Sequence, residues 1–477
     1  MKHIVKINLP GGFISAGDLY EILLIAESAG AQDIRFGNRQ QLYFSIQPDC
    51  LEDMELDMLK AEINYEIDAD LYPNIVSSYV ADTIFNYEGW LREGVYKDIL
   101  DMFDHKPRLK INLIDNQQTF VPFFTGNINF IASDTNNYWY LYMRFPKTSK
   151  LYCCPSLIYS DDIPAIAKAA EEIILKNKDL FYDRGNIDEH FFYKMLIKKS
   201  GANFQPLTTA LKLPAFYLPY YEGFNKYNNK YWLGVYRRNE LFSLAFLKDM
   251  CLLCLKTRIG QIYTTPWKSI IIKGIDMADR NQWGVILSKY RLNVRHAANE
   301  LNWQIEDICE EGLDLKQQLV REFEEADLRT YQLCFAIKTQ PKTGLTGSIV
   351  IKKNKEGLFD ILHTRDFNPN SKDYEPYLQQ INLAELSTHL IKLCYAFYDR
   401  QSSETSTDLI YTKEEAKAQR EKIVFYQCNN CLTRYDKGYG DCEKEIEKGV
   451  DFEELADYAC PVCEAPKEDF SLIEIEN

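Results

Sequence analysis

The chain lacks the features that mark several common protein classes. No apolar run reaches the roughly 18 residues of a membrane-spanning helix, and the most apolar helix-like segment, from Leu241 to Leu255, is interrupted by Lys248 and Asp249. We expect no signal peptide. The sequence has no Gly-rich phosphate loop and no Gly-x-Ser-x-Gly motif, and its 6 histidines are scattered. These absences argue against a membrane protein, a P-loop enzyme and an α/β-hydrolase.

Positive charge is also scarce. In 477 residues, 55 Lys and Arg are outnumbered by 70 Asp and Glu, which gives a net charge of −15. A surface that neutralises phosphates is therefore not expected, which argues against nucleic acid as a partner. The remaining composition, 46% hydrophobic and 26% charged, is that of a globular protein. At roughly 150 residues per domain, the length predicts about three domains.

The 13 cysteines indicate metal chemistry. Without an export signal we expect a cytoplasmic, reducing location, where disulfides are rare. Clustered cysteines then predict metal ligands in preference to a disulfide framework.

The acidic charge is concentrated near the carboxyl end. Residues 421–477 contain 6 Lys and Arg against 15 Asp and Glu, whereas residues 1–420 contain 49 against 55. A Ser/Thr-rich stretch and a polar helix-like run precede this segment. We predict a linker at 401–420 and a separate module at 421–477.

Two Cys-x-x-C motifs lie in this module, at Cys428 and Cys431 and, 29 positions further on, at Cys460 and Cys463. Two such turns that face each other supply four thiolates in a tetrahedron, which selects zinc or iron. A module of 57 residues buries little surface, so metal binding should supply much of its folding free energy. We do not expect Cys442, between the motifs, to be a ligand.

The module resembles rubredoxin in three stretches: Tyr426 to Asp436, Gly449 to Leu455 and Tyr458 to Phe470. Five aromatic residues fall where rubredoxins have an aromatic core beside the metal: Tyr426, Tyr435, Phe452, Tyr458 and Phe470. The resemblance implies one iron, cycling between ferric and ferrous states, bound by Cys428, Cys431, Cys460 and Cys463. It implies electron transfer with a redox protein partner, whose docking face should be basic because the module is acidic.

Two positions depart from the rubredoxin pattern, which has glycine directly after each cysteine pair. Here Leu432 and Glu464 occupy these positions. A residue with a side chain predicts either a strained backbone with positive φ or a different turn.

The larger N-terminal part repeats itself. The matching segments are Phe13 to Leu23 with Leu241 to Cys251, Asp33 to Phe44 with Gln261 to Ile272, Leu109 to Ile131 with Gln332 to Ile351, and Phe181 to Arg184 with Phe397 to Arg400, the last pair each closing a helix. The repeat predicts two halves, 1–185 and 231–400, joined by an aromatic-rich connection at 186–230. A pseudo-twofold α+β core follows from this organisation.

The duplicated layout resembles the sulfite/nitrite reductase family, whose two halves pack around sirohaem. The local matches are the segment Ile34 to Gln40, the segment Tyr72 to Val76, the segment Pro107 to Ile111 and Thr265 to Lys268. The resemblance implies that Arg35 and Arg39 face cofactor carboxylates or substrate, and that Arg108 and Lys110 face an anionic substrate. Alternatively, these charged residues form the solvent face of their strands.

The chain departs from that family at its iron–sulfur ligands. A [4Fe–4S] cluster needs four thiolates, and the second half offers Cys309 and Cys334, with Leu315 and Lys338 where the other two would lie. Pro73 replaces a family arginine. We therefore predict that the body has no [4Fe–4S] cluster, and the departures argue against sirohaem.

Three hypotheses follow. The first is electron transfer through a rubredoxin-type iron site tethered to a reductase-like body without cluster ligands. The second is an oxidoreductase of the nitrite/sulfite reductase type, whose body retains sirohaem or an anion site and is fed by the rubredoxin. The third is a binding protein with a structural zinc knuckle. The sequence leaves open whether the chain is an enzyme.

Overall fold

The structure of the chain is a computed structural model that describes residues 2–85, 89–148, 150–340, 344–418, 423–441, 444 and 446–475. The chain divides into two units, a body of Met1–Cys394 and a C-terminal unit of Tyr395–Asn477. Each is described by itself below.

Strands and helices alternate in the first part of the body. The strands are β1 His3–Ile7, β2 Phe13–Ser15, β3 Asp33–Phe36, β4 Leu42–Ile46, β5 Glu66–Ile67, β6 Val76–Ser77, β7 Ile111–Ile114, β8 Ile128–Ala132, β9 Tyr138–Met143, β10 Tyr152–Tyr159 and β11 Phe204–Pro206. The helices are α1 Ala16–Ser28, α2 Leu51–Lys60, α3 Glu93–Asp101, α4 Ile163–Lys176, α5 Lys178–Phe181 and α6 Glu189–Ser200.

The second part of the body repeats this alternation. Its strands are β12 Gly223–Tyr227, β13 Lys230–Val235, β14 Phe242–Ser243, β15 Gln261–Thr264, β16 Ile270–Ile275, β17 Trp303–Ile305, β18 Phe335–Lys338, β19 Ile349–Lys353, β20 Phe359–Thr364 and β21 Tyr374–Ile381. Its helices are α7 Leu244–Lys256, α8 Arg280–Lys289, α9 Ala298–Leu301, α10 Glu310–Glu325 and α11 Leu383–Ala418, the last of which extends into the C-terminal unit.

Four sheets organise the body. Their strand orders are β14-β3-β4-β1-β5, β11-β10-β9-β8-β7-β6, β12-β13-β16-β15-β2 and β17-β18-β19-β20-β21. The second and fourth sheets each contain two parallel pairs in corresponding places. These pairs are β6 with β7 and β7 with β8 in the second sheet, and β17 with β18 and β18 with β19 in the fourth. Gly126 and Gly347 precede β8 and β19, where a Cβ would lie 2.9 Å from the Lys110 carbonyl oxygen and 2.8 Å from the Ala336 nitrogen. The predicted α+β duplication is therefore confirmed.

The two halves exchange one short strand each. β2 of the first half pairs with β15 in the second-half sheet, and β14 of the second half pairs with β3 in the first-half sheet. Each exchanged strand leads into a helix whose N-terminus is capped by a serine: Ser15 Oγ accepts from the Asp18 amide, and Ser243 Oγ accepts from the Phe246 amide. The exchange places α1 against α7.

The apolar faces of α1 and α7 form part of one buried cluster. Leu19 and Leu23 from α1 and Leu247, Cys251 and Cys254 from α7 are all fully buried there. Burial raises the pKa of the Cys251 thiol to about 12, as expected for a thiol that behaves as a small apolar side chain. This Cys-x-x-Cys segment therefore packs in the core of the body.

One sequence expectation about helix ends is wrong. α5 ends at Phe181 as expected, but Phe397 to Arg400 lie inside α11, which continues to Ala418. The Ser/Thr-rich stretch at 401–408 does not interrupt the backbone hydrogen bonding of the helix. The predicted boundaries of the linker and of the connection at 186–230 stay predictions.

Among the described helices, none combines the length and the apolarity that crossing a lipid bilayer requires.

The C-terminal unit contains a three-stranded antiparallel sheet in the order β23-β22-β24, with β22 Ile423–Cys428, β23 Arg434–Tyr435 and β24 Phe470–Ile475. The register places Tyr426 opposite Tyr435 and Cys428 opposite Phe470. The sheet thereby brings the first cysteine pair next to Phe470, which follows the second cysteine pair in the sequence.

Candidate metal centre and the basic residues of the body

Two turns of identical hydrogen bonding hold the four cysteines. The Cys428 amide donates to the Thr433 carbonyl at 2.8 Å, and the Cys460 amide donates to the Ala465 carbonyl at 2.8 Å. Each turn has a second backbone hydrogen bond to its first cysteine. The Leu432 amide donates to the Cys428 carbonyl, and the Glu464 amide donates to the Cys460 carbonyl, both at 2.9 Å.

The four sulfur atoms converge. Cys428 Sγ lies 3.6 Å from Cys463 Sγ, and Cys431 Sγ lies 3.4 Å from Cys460 Sγ. All four lie within 4.8 Å of one another, and in the described part of the chain they form the one cluster of three or more His, Cys, Asp or Glu that could hold a metal ion. Metal–sulfur bonds of about 2.3 Å place the corners of an S4 tetrahedron about 3.8 Å apart. The donor set therefore fits a single tetrahedral zinc or iron ion.

Leu432 and Glu464 adopt the left-handed conformation that glycine would accept without strain. Their φ angles are 63° and 58°. The sequence allowed either a strained backbone or a different turn, and the structure shows the strained backbone. The left-handed conformation lowers the free energy of unfolding by roughly 1–2 kcal/mol for each residue.

Hydrogen bonding at Cys431 favours its thiolate form. The Thr433 hydroxyl lies 3.0 Å from Cys431 Sγ. The hydroxyl and then the amide of Thr433 lower the pKa of the Cys431 thiol to about 6. A thiolate is the form that binds a metal ion.

The five aromatic residues singled out in the sequence pack together. Phe452 is the centre of the cluster, with its ring centroid 4.2 Å from that of Tyr426, 5.4 Å from Tyr435, 5.3 Å from Tyr458 and 5.1 Å from Phe470. Phe470 also packs against the buried sulfur side of the cysteine cluster. The aromatic cluster therefore shields one side of the candidate metal centre from water.

The basic residues predicted in the body do not form one group. Arg39 lies buried in the turn between β3 and β4, where it donates to the carbonyls of Asn74 at 2.7 Å and Ile111 at 2.9 Å. It lines a cavity of about 160 Å³ together with Lys110. Burial lowers the pKa of Arg39 to about 9 and that of Lys110 to about 8.

The other two basic residues lie apart from this cavity. Arg35, on β3, forms an ion pair with Glu310 at the start of α10. Arg108 is exposed, and its backbone amide donates to the Glu171 carboxylate. The structure therefore brings Arg39 and Lys110 together and separates Arg35 and Arg108 from them.

The C-terminal module matches the Rubredoxin family over residues 425–470. It is 40% identical over 52 residues to "Rubredoxin 4" of Rhodococcus sp. (strain Q15), which covers 11% of this chain and 87% of that protein. It is 45% identical over 49 residues to "Rubredoxin-2" of Chlorobaculum tepidum, covering 10% of this chain and 94% of that protein. Through this module the chain belongs to the rubredoxin family.

The body preceding the rubredoxin domain has matches of its own. Residues 2–61 match the family described as "Nitrite/Sulfite reductase ferredoxin-like half domain". The fold resembles the structure of the Mycobacterium tuberculosis NirA protein with a TM-score of 0.62, covering 82% of this chain and 80% of that one at 15% identity. At this identity the likeness shows the fold alone. The chain is thus a rubredoxin domain fused to a body with a nitrite/sulfite reductase-like fold.

The rubredoxin domain exposes one edge of its sulfur cluster. Cys428 and Cys460 are fully buried, Cys431 is half-buried, and Cys463 is exposed. Val462 beside the exposed sulfur is 71% exposed. This edge offers an approaching molecule access to the sulfurs, whereas Phe470 packs against the buried side of the cluster.

Sequence reasoning missed Thr433 at this site. The residue follows Cys431 by two positions, and a hydroxyl at such a short distance in a chelating turn is a signal for a side-chain bond to sulfur. Cys442, not expected to be a ligand, lies outside the described residues.

Proposed function

We propose that this chain transfers single electrons through a rubredoxin-type iron site bound by Cys428, Cys431, Cys460 and Cys463. The observation that carries the proposal is the convergence of these four sulfurs within 4.8 Å in a domain of the rubredoxin family. Bound iron supplies exchange of one electron between its ferric and ferrous states. Four thiolates around it give a net charge of −1 in the oxidised and −2 in the reduced site.

The protein holds the sulfurs in nearly the same positions in both states. Each knuckle is fixed by two backbone hydrogen bonds, and the aromatic cluster fills the space behind it. A fixed cage limits the reorganisation that accompanies electron transfer. The exposed edge at Cys463 is the route by which an electron would enter or leave.

The domain's acidity indicates the type of partner. Its net charge of −9 over residues 421–477 favours a redox protein with a basic docking face, and such association weakens as salt screens the charges.

In this proposal the body holds no iron–sulfur cluster, because two of its cysteines, Cys309 and Cys334, make other contacts. Cys309 caps α10 by accepting from the Gly312 amide, and Cys334 is buried beside Ser348 Oγ at 3.8 Å. Leu315 is buried in α10 and has no donor atom. These residues support a body without a [4Fe–4S] cluster.

A tetrapyrrole does not fit the cavity that holds Arg39 and Lys110. The cavity measures about 160 Å³, whereas pockets for larger organic ligands measure roughly 300–1,000 Å³. Asp70 and Asp307 also line it and would repel the carboxylates of sirohaem. The size and lining of this cavity support a body without sirohaem.

Metal analysis and absorption spectra of the full chain, produced with ample iron, test the proposal. We expect one iron per chain and a visible absorbance that is lost on reduction with dithionite and restored by air. Replacement of Cys460 by serine (Cys460→Ser) should abolish the site, while the matched Cys442→Ser should retain it.

Other results would support one of the alternatives. Zinc in place of iron, with no reversible colour change, would indicate the structural knuckle. Tetrapyrrole absorbance in the purified chain would indicate the reductase hypothesis.

A further inference from the structure

Lys273, on β16, lacks the carboxylate partner that two buried lysines of the body have. Lys6 lies 2.5 Å from Asp70, and Lys268 lies 2.9 Å from Glu240. The side chain of Lys273 is half-buried, and among the described residues it forms no ion pair. Removal from water without a nearby carboxylate disfavours the charged form of an amine.

The contacts of Lys273 suit a neutral amine. Nζ donates to the Asp82 carbonyl at 2.8 Å and to the Tyr79 carbonyl at 3.2 Å. A neutral amine has two N–H groups, one for each of these carbonyls, and keeps a lone pair that can attack an electrophile. Burial lowers the pKa of Lys273 to about 7, although the carboxylates of Asp82 and Glu93 act in the opposite direction.

The amine lies at a cavity large enough for a ligand. This cavity measures about 480 Å³, within the roughly 300–1,000 Å³ of pockets for small organic molecules. It opens to solvent, because Glu93 and Arg258, which line it, are exposed. A ligand that enters from solvent can therefore reach Lys273.

Two tyrosines form a polar wall of the same cavity. The hydroxyl oxygens of Tyr79 and Tyr263 lie 3.3 Å apart, and each lies within 3.1 Å of Gln261 Oε1. The centroid of the Tyr263 ring is 4.3 Å from Lys273 Nζ. The wall thus offers hydroxyl groups to a polar ligand close to the amine.

Arg258 is the cation of the cavity that is left for a ligand. The carboxylates and the other lysines that line the cavity are held in ion pairs: Asp82 with Arg92, Glu93 with Lys97, and Lys230 with Asp276. Arg258 forms no ion pair among the described residues. Its guanidinium can therefore bind a carboxylate or phosphate group of a ligand.

We propose that Lys273 is a covalent attachment site for a small aldehyde that carries an anionic group. Nζ attacks the carbonyl carbon, and a C–N bond forms. The carbonyl oxygen then leaves as water with the two protons of the amine, which gives an imine without any gain or loss of electrons. Arg258 binds the anionic group, and the tyrosine hydroxyls contact the carbonyl oxygen. This inference does not depend on the electron-transfer proposal.

Reductive trapping on the full chain tests the inference. The probe is 4-oxobutanoate, an aldehyde with a carboxylate, and cyanoborohydride reduces the imine to a stable amine that peptide mass spectrometry locates. At about pH 7 we expect Lys273 to be labelled about tenfold or more faster than Lys226 and Lys355, because an ordinary lysine is almost wholly protonated there. Both comparison lysines are exposed, and they serve as controls within the same molecule.

The pH dependence supplies a second measurement. Between about pH 7 and pH 10 an ordinary exposed lysine gains most of its reactive neutral form, whereas Lys273 already has much of it at the start. The ratio of Lys273 labelling to Lys226 labelling should therefore fall as the pH rises. A ratio that does not fall would contradict the inference.

A matched pair of aldehydes tests the role of Arg258. Butanal has the carbon chain of 4-oxobutanoate with a methyl group in place of the carboxylate. We expect 4-oxobutanoate to label Lys273 about two- to fivefold faster than butanal, the range of an ion pair exposed to solvent. Arg258→Gln should remove this preference. Lys256→Gln, a matched change at an exposed lysine that does not line the cavity, should keep it.

Two further results would overturn the inference. One is labelling of Lys273 no faster than that of Lys226 and Lys355. The other is labelling of Lys273 at the same rate by 4-oxobutanoate and butanal, which would show that the site does not select an anionic aldehyde.

Discussion

The hydroxyl oxygen of Thr433 lies 3.0 Å from the sulfur of Cys431, within the first cysteine knuckle. A hydrogen bond to a ligand sulfur stabilises the more negative, reduced site more than the oxidised one. Removal of this bond should therefore lower the reduction potential of the iron. Thr433 thus acts on the iron through Cys431.

The first prediction is that Thr433→Val lowers the reduction potential of the iron. Loss of a hydrogen bond of about 1 kcal/mol corresponds to a decrease in this potential of roughly 40 mV for a one-electron couple. Thr433→Ser keeps the hydroxyl and should restore most of the potential. Protein-film voltammetry on both variants measures the effect, and equal potentials for the Val and Ser variants would contradict it.

The second prediction concerns the left-handed residues after each knuckle. Leu432→Gly and Glu464→Gly should each stabilise the iron-loaded rubredoxin domain by about 1 kcal/mol, since glycine accepts a positive φ without strain. Denaturant unfolding followed by the iron absorbance measures the change. Val462→Gly is the control, because Val462 is exposed in the turn that also holds Glu464 and has no positive φ, so glycine should destabilise the domain there. Destabilisation by all three changes would show that the positive φ is not strained.

The third prediction links the metal to the folding of one unit. Cys460→Ser removes a sulfur of the cluster, and the C-terminal module should unfold because metal binding supplies much of its stability. The body, with its own buried clusters, should keep its thermal transition. Calorimetry of the variant separates the two transitions. Loss of both would show that the predicted domain boundary near residue 420 is wrong.

The fourth prediction is a pH dependence from Lys273, whose ammonium lies 4.3 Å from the centroid of the Tyr263 ring and donates to the Asp82 carbonyl at 2.8 Å. Burial lowers its pKa from 10.5 to about 7. Between these values the unfolded chain holds a proton that the folded chain releases. The contribution of Lys273 to the free energy of unfolding should therefore rise with pH across this window, by at most about 1.4 kcal/mol per pH unit.

The sign can be checked at both limits. Below pH 7 the folded state carries the full cost of the buried charge, and above pH 10.5 neither state is charged. In Lys273→Met this contribution is absent, so the stability difference between the variant and the unmodified chain should change with pH. Denaturant unfolding at a series of pH values measures it. The same change at the exposed Lys226 tests whether the effect is specific to Lys273, and a pH-independent difference for Lys273→Met would contradict the prediction.

The knuckles were predictable from sequence because their geometry is local. Four positions separate Cys428 from Leu432, and the hydrogen bonds of the turn follow from that spacing. The duplication was predictable because apolar periodicity and glycines recur in the same order in both halves, as at Gly126 and Gly347. Both signals depend on residues that are close in the chain or repeated along it.

The grouping of basic residues was not predictable in the same way. Arg35 lies 275 positions from Glu310, its ion-pair partner. Whether Arg39 and Lys110 share a cavity depends on how the turn after β3 meets the start of β7. Side-chain positions set by tertiary packing leave no periodic signal in a single sequence.

The exchange of β2 and β14 makes each half of the body incomplete. A half produced alone would present a bare row of backbone N–H and C=O groups where the strand of the other half belongs. Such a half could cover these groups by pairing with a second copy of itself. The duplicated body therefore corresponds to a dimer whose two subunits are joined in one polypeptide.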